Sequence, residues 1–178
     1  RQETWAEQSK AWMAYLGRSS YLLQQGKNIA DILYLYGENN NITSVCETNL
    51  PNIPAGFEFD FVNASALLNA IQAKDGKLVA QSGNMYNVLM LDSTARFMTL
   101  PVLKKIKALA DAGVKVTGVK PEGSPSLADN EAEFKKVVDE IWKNPNVTSF
   151  EEINLQPDVI IKNAKNKILF RHRKSDMD

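Results

Sequence analysis

Apolar and polar positions follow two rhythms along this chain. Over residues 4–25, Trp5, Trp12, Leu16 and Leu23 recur near helical spacing and share one face, which predicts a helix. A T-x-x-E capping box at Thr4 and Glu7 predicts its start, and Gly26 suits the left-handed position after its end. Two tryptophans on one face are a large apolar load, which predicts burial against a sheet or a neighbouring part. Residues 30–36 (ADILYLY) are almost continuously apolar, as in a strand covered on both faces. The polar loop GENNN follows, then an irregular stretch to Gly56 with Pro51 and Pro54. FEFDFV at 57–62 reads as a short strand, and Asn63 as the cap of a helix over 64–71.

The second half repeats the alternation. Asp75-Gly76 is a turn signal before the strand-like KLVAQSG. YNVLML at 86–91 predicts a central strand ending at Asp92. Thr99 caps the next helix, with Pro101 in its first turn and Gly113 at its stop. VKVTGV at 114–119 is a further strand, and Lys120-Pro121 ends it. A helix over about 128–143 follows, with Phe134, Val137, Val138, Ile141 and Trp142 as its inner face. The tail has extended segments at 146–150, 158–161 and 168–172 and then breaks off into SDMD. Strands alternating with helices imply an α/β fold: a three-layer, flavodoxin-like domain with a mostly parallel sheet of about five strands.

Composition narrows the classes of function. The chain has 178 residues, 44% hydrophobic and 24% charged, which fits one globular domain with a real core. Twenty-one basic and 21 acidic residues balance, which argues against a nucleic-acid partner and an anionic membrane surface. One cysteine, Cys46, excludes an internal disulfide and a cysteine-rich zinc site; one histidine, His172, excludes histidine-pair metal motifs. No apolar run approaches the ~20 residues that span a bilayer. The chain opens with Arg1 and not with Met, which we read as a processed or excised piece of something longer.

In doubly wound folds, ligands gather at the C-terminal edge of the strands. The candidate binding residues there are Glu38, Asn39, Asp92 and Ser93, with Lys120 beside them. Asp92 and Lys120 resemble the Asp and Lys of a phosphoacceptor receiver, but only one acid, Glu38, follows the first strand. GENNNITS lacks the glycine and hydroxyl density of a phosphate cradle, so a solvated loop is the simpler reading. Cys46 lies in an irregular stretch and not on a strand-to-helix elbow, and His172 is far away in sequence, so neither reads as catalytic. Glu58 and Asp60 share a strand face by their spacing, and the plain reading is a solvated face. The basic run Arg171 to Lys174 reads as a solvated strand end. A flavodoxin- or receiver-like module for a small ligand or phosphate is the alternative function. A carbohydrate-binding module is disfavoured because the Trp residues sit on helical faces.

The segments TWAEQSKAWMAYLGRSSYLLQQGKNIADILYLYGE, FDFVNASALL, DGKLVAQSGNMYNVLMLD, LPVLKKIKALADAGVKVTGVKP, SPSLADNEAEFKKVVDEIW and ILFRHRKSDMD together cover nearly the whole chain. In order and spacing they resemble glycoside hydrolase family 106, the α-L-rhamnosidases. The resemblance implies a large, multidomain, secreted or periplasmic bacterial enzyme acting on plant polysaccharide. It implies a (β/α)₈ catalytic barrel with carboxylate acid and base, and a calcium ion in that barrel domain. No catalytic carboxylate of the family can be matched to a residue here, so no catalytic residue, metal or cofactor is assigned to this chain. Residues 1–26 would be a helix from the end of the barrel, 27–165 the flavodoxin-like domain, and 166–178 the start of a β-rich domain. The implied partners are the other domains of the same polypeptide, and carbohydrate reached through them.

Overall fold

The computed structural model describes residues 3–38, 52–93, 95–163, 168 and 170–175. A 3-10 turn at Ala6–Gln8 leads into α1 (Ser9–Gln24). Then come β1 (Lys27–Asn28), β2 (Ile32–Leu35), β3 (Phe59–Val62), α2 (Ala64–Ala70), β4 (Ile71–Lys74), β5 (Lys77–Ala80), β6 (Met85–Tyr86) and β7 (Val88–Leu91). The chain continues through α3 (Leu100–Asp111), β8 (Lys115–Thr117), α4 (Glu131–Trp142), α5 (Phe150–Ile153) and β9 (Arg173–Lys174).

The main sheet has four strands in the order β3-β2-β7-β8. All its pairs are parallel, with Ile32 opposite Phe59 and Val88, and Val88 opposite Lys115. The central strands β2 (ILYL) and β7 (VLML) are buried at every position, which is why both read as unbroken apolar runs. Where a fifth strand was expected, a single parallel bridge joins Val116 to Val147. Asp75 and Gly76, both at positive φ, close the antiparallel hairpin β4–β5, to which β6 adds.

Leu33, Leu35, Leu89, Leu91 and Val116 join the buried faces of α2, α3 and α4 in one core. Fully buried Leu103 and Ile106 each contribute about 1.5–3 kcal/mol there. The opposite sheet face carries Ile32, Tyr34 and Met90, backed by Tyr36, Phe57, Phe59 and Phe150. Among the described residues, α2, α3 and α4 therefore cover one face and aromatic side chains the other.

Local signals held where one short-range bond decides them. Asn63 accepts from the Ala66 amide at 2.7 Å and starts α2; Asn130 does the same for α4 through Glu133. Each such cap stabilises its helix by about 1 kcal/mol. The start of α1 differs from expectation. No side chain caps the 3-10 turn, so the Thr4–Glu7 box does not form, and Ser9 Oγ bonds the Ala6 carbonyl instead. Of the two dockings expected for the tryptophan face, the one on this domain's sheet is not made among the described residues: α1 buries none of its residues, and Trp5 and Trp12 are 59% and 58% exposed. The tail also differs, with β9 at Arg173–Lys174 pairing antiparallel with β1 in place of a strand over 168–172.

Candidate functional site

The C-terminal edge of the parallel sheet is where sequence reasoning put the site. The backbone sets its shape. Gly118 leaves β8 at φ +140, and a Cβ there would lie 2.6 Å from Leu91 Cβ, so the two strand ends approach only because the residue is glycine. Glu38 follows β2, and Asp92 and Ser93 follow β7. Asn39 lies outside the described residues, as does Cys46.

Glu38 is committed to structure. Its carboxylate accepts from the Thr99 backbone N–H at 2.5 Å and from the Thr99 hydroxyl at 3.0 Å. Thr99 was expected to cap α3 with its own side chain, and it makes no such bond. The next amide, Leu100 N–H, donates to Asp129 Oδ2 at 2.7 Å, and Ser124 Oγ donates to the same oxygen at 2.6 Å. These bonds, with the Ser124 hydroxyl foremost, hold the Asp129 carboxyl below its usual range. Two carboxylates of the chain itself thus occupy the α3 N-terminus, where a phosphate-binding fold would hold its anion.

Asp92 is half-buried and Ser93 exposed. The Tyr34 phenol bonds the Asp92 carboxylate, and burial, then the Asp92 charge, push the phenol well above its ordinary value. Asp92 N–H also donates to the Leu35 carbonyl at 2.9 Å, tying β7 to β2 at this edge. Lys120 pairs with Asp139 of α4 at 2.7 Å, so the receiver arrangement of Asp92 with Lys120 is not made. A shallow groove beside this edge is lined by Glu122, Asp129 and Glu131. Glu122 pairs there with Arg96 and Glu131 with Lys135. Each of these three carboxylates thus has a partner in place.

A second cluster, which sequence reasoning missed, lies at the opposite, N-terminal edge. Glu58 is only 6% exposed and pairs with Arg171, 113 residues away. Asp60 accepts from Tyr86 Oη at 3.0 Å and Asn28 Nδ2 at 3.4 Å. Asp31 accepts from Asn87 Nδ2 at 2.5 Å, and Asp158 lies 3.1 Å from His172 Nδ1. The buried Glu58 corrects the solvated face expected for Glu58 and Asp60, whereas Arg171, His172 and Lys174 are exposed as expected, with Arg171 and His172 additionally paired to acids. Burial raises the pKa of Glu58 and Asp31 despite the Arg171 charge beside one and the Asn87 bond to the other. Burial and the Asp60 charge push the Tyr86 phenol up to about 12. A buried acid without a local partner was the signal; its basic counterpart was too distant in sequence to be read. Among the described residues, no group of three or more His, Cys, Asp or Glu side chains is placed to hold a metal.

Comparison with known proteins points to glycoside hydrolases. The sequence profile of the glycoside hydrolase family 106 alpha-L-rhamnosidases matches residues 1–178. A protein of Formosa agariphila named "Putative beta-glucuronidase" is 36% identical over 187 aligned positions, covering 99% of this chain and 16% of that protein. The rhamnosidase structure from Novosphingobium sp. PP1Y superposes with a TM-score of 0.84 at 30% identity, covering 99% of this chain and 19% of that one. The chain thus spans less than a fifth of the length of these relatives.

Proposed function

This chain belongs to glycoside hydrolase family 106, and from that premise we propose that it is an accessory, non-catalytic domain of a large glycoside hydrolase acting on α-L-rhamnosides. One observation carries the reading. The acids described at both edges of the sheet are committed to amides, hydroxyls or cations, as Glu38 is to Thr99 and Glu58 to Arg171. A glycosidase needs one carboxyl poised as acid and another as base or nucleophile. In this reading the catalytic carboxylates, and the calcium ion, lie in a (β/α)₈ barrel elsewhere in the polypeptide, and carbohydrate reaches this domain only through it. The substrate is plant polysaccharide, and the enzyme works in the periplasm or outside the cell.

Residues 1–26 then belong to the end of the barrel, with the apolar stripe of α1 seated on it. Residues 27–165 form the accessory domain, and 166–178 lead into a β-rich domain. The order β3-β2-β7-β8, extended by the Val147 bridge, supports a flavodoxin-like arrangement. Glu38, Asp92 and Ser93 face the rim of the substrate cleft in the assembled enzyme, where Ser93 offers an exposed hydroxyl.

The test is hydrolysis of an aryl α-L-rhamnoside by this chain and by a longer polypeptide that contains it, with an aryl β-glucuronide beside it. Rhamnoside hydrolysis by the longer protein alone is the expected result. Turnover by this chain would overturn the non-catalytic reading. Turnover of the glucuronide alone would overturn the choice of sugar.

A further inference from the structure

Three consecutive basic side chains of the tail each hold a different part of the fold. Arg171 pairs with buried Glu58 at the start of β3. His172 Nδ1 meets Asp158 Oδ2 at 3.1 Å, and its carbonyl accepts from the Ile29 amide at 3.0 Å. Arg173 reaches back across 147 residues: its Nε donates to the Gln25 carbonyl and its Nη2 to the Gly26 carbonyl at 2.7 Å. Those carbonyls lie in the two residues just past the C-terminal end of α1, where the helix dipole favours a cation. The β1–β9 ladder sets Lys27 opposite Lys174 and Asn28 opposite Arg173. Gly26, at φ +59, lies so close to the strap that a Cβ would come within 2.1 Å of the Lys174 carbonyl oxygen.

Because α1 buries none of its residues, no packed face fixes its direction. We propose that Arg171–His172–Arg173 is a strap that sets the direction of α1 relative to the parallel sheet, with Arg173 as the positioning residue at the α1 C-terminus. The helix and the sheet then move as one body. The strap needs only contacts within this chain, so it holds whatever α1 docks against and whatever sugar the enzyme cleaves.

The test is a spin-label distance measurement on the full chain. Cys46→Ser removes the single native thiol, and labels at Lys10→Cys on α1 and Lys136→Cys on α4 report the angle. A single narrow distance distribution is expected. Arg173→Met should at least double its width while far-ultraviolet circular dichroism stays unchanged. Gly26→Ala, which drives a methyl into the Lys174 carbonyl and displaces the Gly26 carbonyl that Arg173 holds, should broaden it likewise. If Arg173→Met does not fold, Arg173→Lys, which keeps the charge but not the two-pronged donor, is read in its place. A distribution already broad in the unsubstituted strap, or an unchanged width in the Arg173 variant, overturns the proposal.

Discussion

The carboxylate of Glu38 receives both the backbone N–H and the hydroxyl of Thr99, a residue 61 positions later in the chain. The first turn of α3 is thereby capped from the end of β2 and not by its own N-cap side chain. Removing this acceptor leaves an amide without its partner at a helix start. Glu38→Ala should cost about 0.5–2 kcal/mol, the range for lost caps. At this chain length that is a fall of about 2–4 °C in melting temperature per kcal/mol. Thermal unfolding followed by circular dichroism checks it, and an unchanged midpoint would show that water replaces the cap at no cost.

The core under α3 responds to lost volume. Leu103 and Leu89 are fully buried between the sheet and the helices. Leu103→Ala should destabilise by about 2–5 kcal/mol, the sum of lost transfer energy and the cavity left behind. Urea unfolding measures it through a shift in midpoint at constant slope. A loss below 1 kcal/mol would mean that the packing at this site collapses onto the gap.

Stability should pass through a maximum on the acid side of neutrality. Burial holds the Glu58 and Asp31 carboxyls above their ordinary values. A carboxyl raised in this way binds its proton more tightly folded than unfolded. It therefore penalises the folded state at neutral pH, and the penalty is relieved as pH falls through the raised value toward about 4. Asp129, Glu131 and Asp139 are shifted the other way by their hydroxyl and lysine partners. Their contribution is present above the ordinary carboxylate range and is lost as pH falls below about 4. Urea midpoints should rise as pH falls from 7 toward about 4 and fall below it. In Glu58→Gln the rise should be smaller; an equal rise in both proteins would remove Glu58 from the account.

The aromatic residues of α1 should matter little to the stability of this chain by itself. Trp12 stacks on Tyr15 at 5.6 Å between ring centroids, yet both are more than half exposed. Trp12→Ala should move the unfolding free energy by no more than about 0.5 kcal/mol, as for surface positions. The same substitution in a longer polypeptide, where α1 is docked, should cost several times more. Equal small effects in both would count against docking.

Much of this fold was legible because its decisive interactions are short-range. ILYL and VLML show central parallel strands by their unbroken apolarity. Asp75-Gly76 shows its turn, though not the strand β4 before it, and Asn63 shows its helix within four residues. The spacing of Phe134, Val137, Val138 and Ile141 marks the buried face of α4. What stayed hidden depends on pairs remote in sequence. Glu38 reads as a ligand residue until Thr99 arrives beside it. Arg171 reads as a solvated cation until Glu58 is found buried opposite. The apolar stripe of α1 states that the helix seeks a partner, and leaves open whether that partner is this domain's sheet or a neighbouring part.

The strand order has a consequence for how the protein is made. β2 is the first strand of the main sheet to be synthesised, yet it ends up between β3 and β7. The Asp31–Asn87 pair that closes β2 onto β7 joins residues 56 positions apart. At roughly 5–20 residues per second, that separation keeps ILYL waiting on the order of 3–11 s for its second neighbour. During that interval an apolar strand with free backbone groups stands in the nascent chain. Slow codons across the stretch between Asp31 and Asn87 should therefore lengthen that exposure and lower the yield of folded protein.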